Sequence, residues 1–278
     1  ARCSYGNLKS SIFNLQWLRL AAMAVVCVAQ MAVAQDTNPL PTARQLLDDV
    51  VLQLPREPLD ISGDLILRKR KGIEIRELKF RMLLKWGDSP ATAQYTIGDA
   101  FGQELERLTV SRQHGQEPVF RYAAAGTSGD AKLPDLFGAI QGTDVSWMDL
   151  TLSFLWWPGG RVTGEEDIRG RPCHVVEVPA PAGPPGQYAA VRLWIDGQLH
   201  MLLQAEGLDA GGKQVRILWV KSFKKINDRW MLKDLEIQSS PLHRTKLVVR
   251  EVNGERTGLL EEAEDVPSGK ITPTPVQE

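Results

Sequence analysis

The side chains that could do chemistry are few, and they are scattered. Four histidines, His114, His174, His200 and His243, stand far apart, and none falls in H-E-x-x-H or another metal-ligand spacing. Cys173-His174 joins a nucleophile to a base. On a strand, adjacent side chains point to opposite faces, so thiol and imidazole cannot converge on one substrate atom. The pair reads as a small buried thiol beside an exposed ring. Glu165-Glu166-Asp167 reads as a solvated charge run whose neighbours diverge. Asp196 and Asp209 stand in turns. There is no G-x-S-x-G elbow and no phosphate-binding glycine loop. With no nucleophile, base and orienter in one pattern, the expectation is a non-enzymatic protein with no catalytic residue, cofactor or metal.

Tryptophan and apolar surface remain. Seven of the eight tryptophans follow residue 34: Trp86, Trp147, Trp156, Trp157, Trp194, Trp219 and Trp230. Trp194 shares a strand face with Arg192 and Asp196, while Leu193 and Ile195 point the other way. One tryptophan at least therefore lies off the main apolar face. A sheet with a second apolar patch can form a greasy cleft.

The elements that would position these residues are mostly strands. Tyr188–Ile195, Leu199–Leu208, Lys213–Lys225, Arg229–Gln238 and His243–Val252 are separated by little but turn residues such as Asp196-Gly197 and Gly211-Gly212. Links this short force antiparallel neighbours. Upstream, Leu78, Phe80, Met82, Leu84 and Trp86 alternate with Lys79, Arg81, Leu83 and Lys85, the clearest period of two in the chain. Leu59–Arg68, Ala91–Ile97, Gln103–Arg112, Val119–Tyr122, Arg161–Ile168 and Pro172–Val178 complete about a dozen strands. The basic tip Arg68–Lys71 would dock on anionic headgroups or an acidic partner, or protect an edge from aggregation.

Helices are short. Thr42 and Gln45 have capping-box spacing before a stripe of Ala43, Leu46, Leu47, Val50, Val51 and Leu54 that Pro55 stops. Leu133–Phe137 reads as one helical turn. A second helix runs to about Phe154, capped by Ser146 with Asp149 or by Thr143, and so apolar all round that it must be buried. The fold class expected is mainly β with short α: a long antiparallel sheet carrying an apolar helix pair on one face.

Residues 1–34 read as a cleavable signal peptide. Lys9 and Arg19 precede an apolar run, no acid comes before Asp36, and Ala32-Val33-Ala34 is a small-x-small cleavage pattern. An N-terminal membrane anchor is the rival reading. Removing the leader takes the net charge from −1 to −4, so no global field draws nucleic acid, and leaves Cys173 alone, so no internal disulfide. The mature chain is expected to have no transmembrane segment and to reside in the periplasm. Residues 253–278 are expected to be a polar, disordered tail, leaving 35–252 as one domain.

Gly142–Leu150 (GTDVSWMDL) followed by the meander resembles the LolA-like family of outer-membrane lipoprotein-sorting proteins. The matching residues are Gly142, Asp144, Asp149, Leu150, Trp194-Ile195-Asp196, Asp209, Gly212-Lys213, Trp230, and His243 with Thr245. The resemblance implies a single curved antiparallel sheet, an open half-barrel, with helices on its concave face and a hydrophobic cavity between them that takes lipid acyl chains. It implies a carrier of lipoproteins or other lipids, sorting them toward the outer membrane, with an inner-membrane donor complex as a possible partner. A lipid-sensing or protein-interaction module of the same fold is the alternative. Phe80, Met82, Leu84, Trp86, Trp147, Leu150 and Phe154 are the candidate lipid-binding residues, with the helix Trp147–Phe154 as lid or plug. No arginine of the sequence matches the cavity arginine by which the family's carriers control opening.

Overall fold

The computed structural model of the chain describes residues 41–257 apart from 70, 114, 115, 128, 182–187, 227 and 228. The leader, the stretch beyond 257 and the Asn227-Asp228 turn lie outside the described residues. Thirteen strands among them form one open antiparallel sheet. They are β1 (Leu59–Lys69), β2 (Glu74–Lys85), β3 (Ala91–Gly98), β4 (Glu104–Arg112), β5 (Val119–Ala124), β6 (Arg161–Ile168), β7 (Arg171–Pro179), β8 (Ala190–Asp196), β9 (Leu202–Leu208), β10 (Gln214–Ile226), β11 (Arg229–Gln238), β12 (His243–Val252) and β13 (Glu255–Arg256).

The sheet is two meanders joined by their ends. Its order is β5-β4-β3-β2-β1-β12-β11-β10-β9-β8-β7-β6, and β1 pairs with β12 from Ile61↔Val252 to Lys69↔His243. Leu108 of β4 and Leu193 of β8, far apart in that order, belong to one buried cluster. The sheet must curl for them to share a core. Val110, Phe80, Leu65, Leu247 and Leu218 line the same concave side. A bulge at Ser62/Gly63 assists the bend. A Cβ on Gly63 would lie 2.0 Å from the Val248 carbonyl oxygen and 2.8 Å from the Phe80 ring, so only glycine lets that ring lie flat on β1.

Helix α1 (Ala43–Leu52) starts at the expected capping box: the Gln45 amide donates to Thr42 Oγ1 and the Thr42 amide to Gln45 Oε1. Its stripe of Ala43, Leu46, Leu47 and Val50 is buried. The helix ends at Leu52, before Leu54, because the chain must already be extended ahead of Pro55.

Strands β5 and β6 are opposite edges, so residues 125–160, which connect them, cross the concave face. Leu133–Phe137 forms no helical turn. Asp135 Oδ1 takes the Phe137 amide in a side-chain-closed turn, and the Leu136 carbonyl accepts from the Met148 amide. Helix α2 (Trp147–Thr151) follows, flanked by 3-10 turns at Ile140–Gly142 and Ser153–Trp156. Ser146 is its cap, its hydroxyl accepting from the Asp149 amide, while Thr143 Oγ1 accepts from the Val145 amide before the helix begins. Leu152 takes φ 47°, ψ 34°, a left-handed conformation that ends α2 short of Phe154. Every residue of α2 is buried. At the other end, residues 253–257, assigned by sequence to the tail, extend the sheet: β13 pairs with β12 and the Thr257 hydroxyl donates to the Val249 carbonyl.

Candidate functional site

The crossing segment, a plug of side chains by position, lies on the concave face, and alternation sets which strand residues face it. Phe80, Met82, Leu84 and Trp86 are even-numbered on and just past β2 and face the concave side together. Trp147 meets Tyr122 of β5 edge-on, Phe154 lies by Val191 and Leu218 of β8 and β10, and both belong with Leu150 to the same large core cluster. Phe80, Trp147, Leu150 and Phe154 are buried, while Met82, Leu84 and Trp86 are partly buried against the same cluster. The structure thus brings all seven candidate lipid-binding residues into one apolar cluster. It also fills most of the predicted hollow with the plug's own side chains. A pocket with room for about one water molecule lies between Asp149 and Phe154 of the plug and Val191, Gly207, Arg216 and Leu218 of the sheet.

Apolar packing is only part of what holds it. Asp144 is fully buried; its Oδ1 accepts from the Ser239 amide (3.0 Å) and hydroxyl (2.8 Å), and its Oδ2 pairs with His243 Nδ1 (2.9 Å) and Thr245 Oγ1 (3.1 Å). Arg216 Nη1 donates to the Asp144 carbonyl and to Asp149 Oδ2, each at 2.5 Å. Glu106 takes Gln141 Nε2 (2.8 Å) and the Tyr122 hydroxyl (2.9 Å). Burial first, and then this bond, pushes the Tyr122 phenol up to about 12. Arg76 Nη1 donates to the Gln141 carbonyl (2.6 Å), and Arg112 Nη2 to Ser153 Oγ (2.9 Å). A line of polar ties, some buried and some exposed, therefore pins residues 141–153 to β2, β4, β10 and β12 and to Ser239 after β11.

Sequence reasoning missed Arg216, Arg112 and Glu106. Arg216 and Glu106 stand at concave positions of alternating strands, and a charged residue in phase with buried apolar ones is a signal that alternation could have supplied. On the convex face, Cys173, Val175, Trp194 and Leu203 form a second small cluster, and Trp194 Nε1 donates to Glu166 Oε2 (2.9 Å). Cys173 and His174 do point apart: the thiol is buried there, and the ring lies 3.2 Å from Glu165. The described residues hold no cluster of three potential metal ligands, and none of their helices is long and apolar enough to cross a membrane.

The same architecture occurs in known structures. A DUF1329-family protein from Desulfovibrio piger superposes with a TM-score of 0.63 at 15% identity, covering 76% of this chain and 90% of that one. A LolA superfamily protein from Nitrosomonas europaea gives 0.60 at 13%, covering 76% and 93%. A putative outer membrane lipoprotein-sorting protein domain from Vibrio parahaemolyticus gives 0.60 at 13%, covering 79% and 95%. The chain has the LolA fold. At these identities the likeness is one of fold. A family model described as an uncharacterized protein matches residues 132–257, the plug and the C-terminal meander of this LolA fold. No curated protein matches the sequence.

Proposed function

We propose that the protein is a non-enzymatic carrier of acyl chains in the bacterial periplasm, exported by the segment 1–34. It would take lipid or lipoprotein chains into the space now held by the plug and sort them toward the outer membrane. The observation that carries this reading is the build of the plug: a five-residue helix whose apolar side chains sit on an apolar sheet face, held by separate polar latches.

The magnitudes allow exchange. Burying Trp147, Leu150 and Phe154 is worth roughly 2 kcal/mol each. An acyl chain of about 16 carbons offers roughly 12 kcal/mol gross when buried. The roughly 6 kcal/mol for those three side chains is less than the chain offers, which leaves a margin from which the polar ties and the rest of the plug can be released. The left-handed Gln141 (φ 50°) and Leu152 (φ 47°) are two bends in this segment, and the part that withdraws in this reading runs past Leu152 to Ser153 and Trp156.

Organic extraction of the purified protein, with mass spectrometry of the extract, tests the reading, and pull-down of acylated cargo separates a lipoprotein carrier from a lipid carrier. Trp147→Ala is expected to change lipid binding as well as stability. If extraction yields no lipid, no acylated cargo binds, and the substitution alters stability alone, the plug is ordinary core.

A further inference from the structure

Arg112 is a partly buried cation with no anion beside it among the described residues. It closes β4 on the concave side, in phase with Leu108 and Val110. Its guanidinium lies 4.1 Å over the Trp156 ring, and Trp156 stacks on Trp86 with centroids 5.6 Å apart at 25°. Nη2 donates to Ser153 Oγ at 2.9 Å, and Nε is buried with no hydrogen-bond partner. Among the described residues no carboxylate lies within ion-pair distance of it. The ionisable neighbour it interacts with is the buried phenol of Tyr95. Arg216, by contrast, has Asp149.

Such a group is costly to keep, since a desolvated charge needs a counter-charge or a full set of hydrogen bonds, and stacking on indole offsets only part of that. An arginine fork accepts a carboxylate or a phosphate with two parallel bonds. Here the open Nε–H adjoins an Nη2 whose partner, Ser153, belongs to the plug. Withdrawing the plug would free the edge. Met82, Leu84 and Trp86 lead from it along β2 toward Phe80.

We propose that Arg112, backed by Trp86 at the end of β2, is the headgroup site of an amphiphile ending in an oxyanion, whose tail runs along Met82 and Leu84 once Ser153 and Trp156 have withdrawn with the plug. This rests on the acyl-chain reading above and narrows its substrate class. A fatty acid carboxylate or a phospholipid phosphate meets the need; the uncharged amide and ester groups of an acylated cysteine do not.

The test uses the full chain and the fluorescent polyene fatty acid cis-parinaric acid beside its methyl ester. The acid is expected to bind at least about tenfold more tightly, the value of one charge-assisted pair. Arg112→Met should bring the two within about twofold without weakening the ester, and Arg112→Lys should keep most of the preference. Competition by palmitate and by phosphatidylglycerol tells which oxyanion is preferred; displacement by either one supports the site. Displacement by inorganic phosphate at equal concentration would overturn it, because the anion would then be read without its chain. Equal binding of acid and ester by the unsubstituted protein would overturn the headgroup site and leave the carrier reading intact. Failure of both probes to bind would remove the two together.

Discussion

Arg216 on β10 and Asp149 on α2 meet at 2.5 Å with side chains only 5% and 4% exposed, and this pair fastens the plug to the sheet. Asp149 also closes the α2 cap, accepting from the Ser146 amide (2.8 Å) and hydroxyl (2.7 Å). One carboxylate thus serves the helix start and its anchorage. Removing one partner of a buried pair strands the other, at about 3 kcal/mol. Arg216→Met is expected to destabilise by about that amount in urea unfolding, and Arg216→Met with Asp149→Asn by clearly less than the sum of the two. Additivity to within about 0.5 kcal/mol would show that the pair is not coupled.

The bend at Leu152 makes an inverted prediction. In a helix alanine is preferred to glycine, but at φ 47° the order reverses. Leu152→Gly should be about 1 kcal/mol more stable than Leu152→Ala. Thermal or chemical unfolding of the two variants decides it, and an alanine advantage would mean that this residue is helical in solution.

Acid should unfold the protein through particular carboxylates. Burial acts to raise Asp64, but hydrogen bonds from Lys79 (2.8 Å) and Arg250 (2.6 Å) outweigh it and hold the group below its usual value. Asp196 is likewise raised by burial and pulled lower overall by Arg171 and by the amides of Leu199 and Gln198. A folded-state value below the unfolded one means stability that is present above the unfolded value and lost as pH falls through the folded one. Unfolding free energy should therefore drop below about pH 4, and Asp64→Asn or Asp196→Asn should flatten that drop. Glu206, raised by burial, works in the opposite sense. Glu206→Gln should gain stability at neutral pH over the native protein. A pH series of denaturant midpoints checks all three.

Burial pushes the Cys173 thiol up to about 11. The thiolate is the reactive form, so with Cys3 and Cys27 replaced, labelling by a disulfide reagent at pH 8 should be slow in the folded protein and fast in denaturant. Rapid labelling under native conditions would mean that the β7–β8 convex cluster opens.

Much of the fold could be read from the residues. The period of two from Leu78 to Trp86, the glycine turns of the meander and the Thr42 and Ser146 caps are local physics, and His243–Val252 begins and ends where its turn residues place it. That Phe80, Met82, Leu84 and Trp86 share one face followed from alternation alone. The expected helical turn at Leu133–Phe137 gives way to a tight turn closed by Asp135, and the Leu136 carbonyl pairs instead with Met148, a neighbour in space.

What the chain's order of residues determined by itself was which side chains share a face, because strand and helix periods are set by covalent geometry. What only the tertiary structure decided was which faces meet. The β1–β12 pairing makes β5 and β6 opposite edges and so sends residues 125–160 across the hollow. That crossing sets Arg216 on Asp149, 67 residues apart, and Arg112 on Ser153, 41 residues apart. Contacts between such distant residues depend on strand order, and no local pattern encodes strand order.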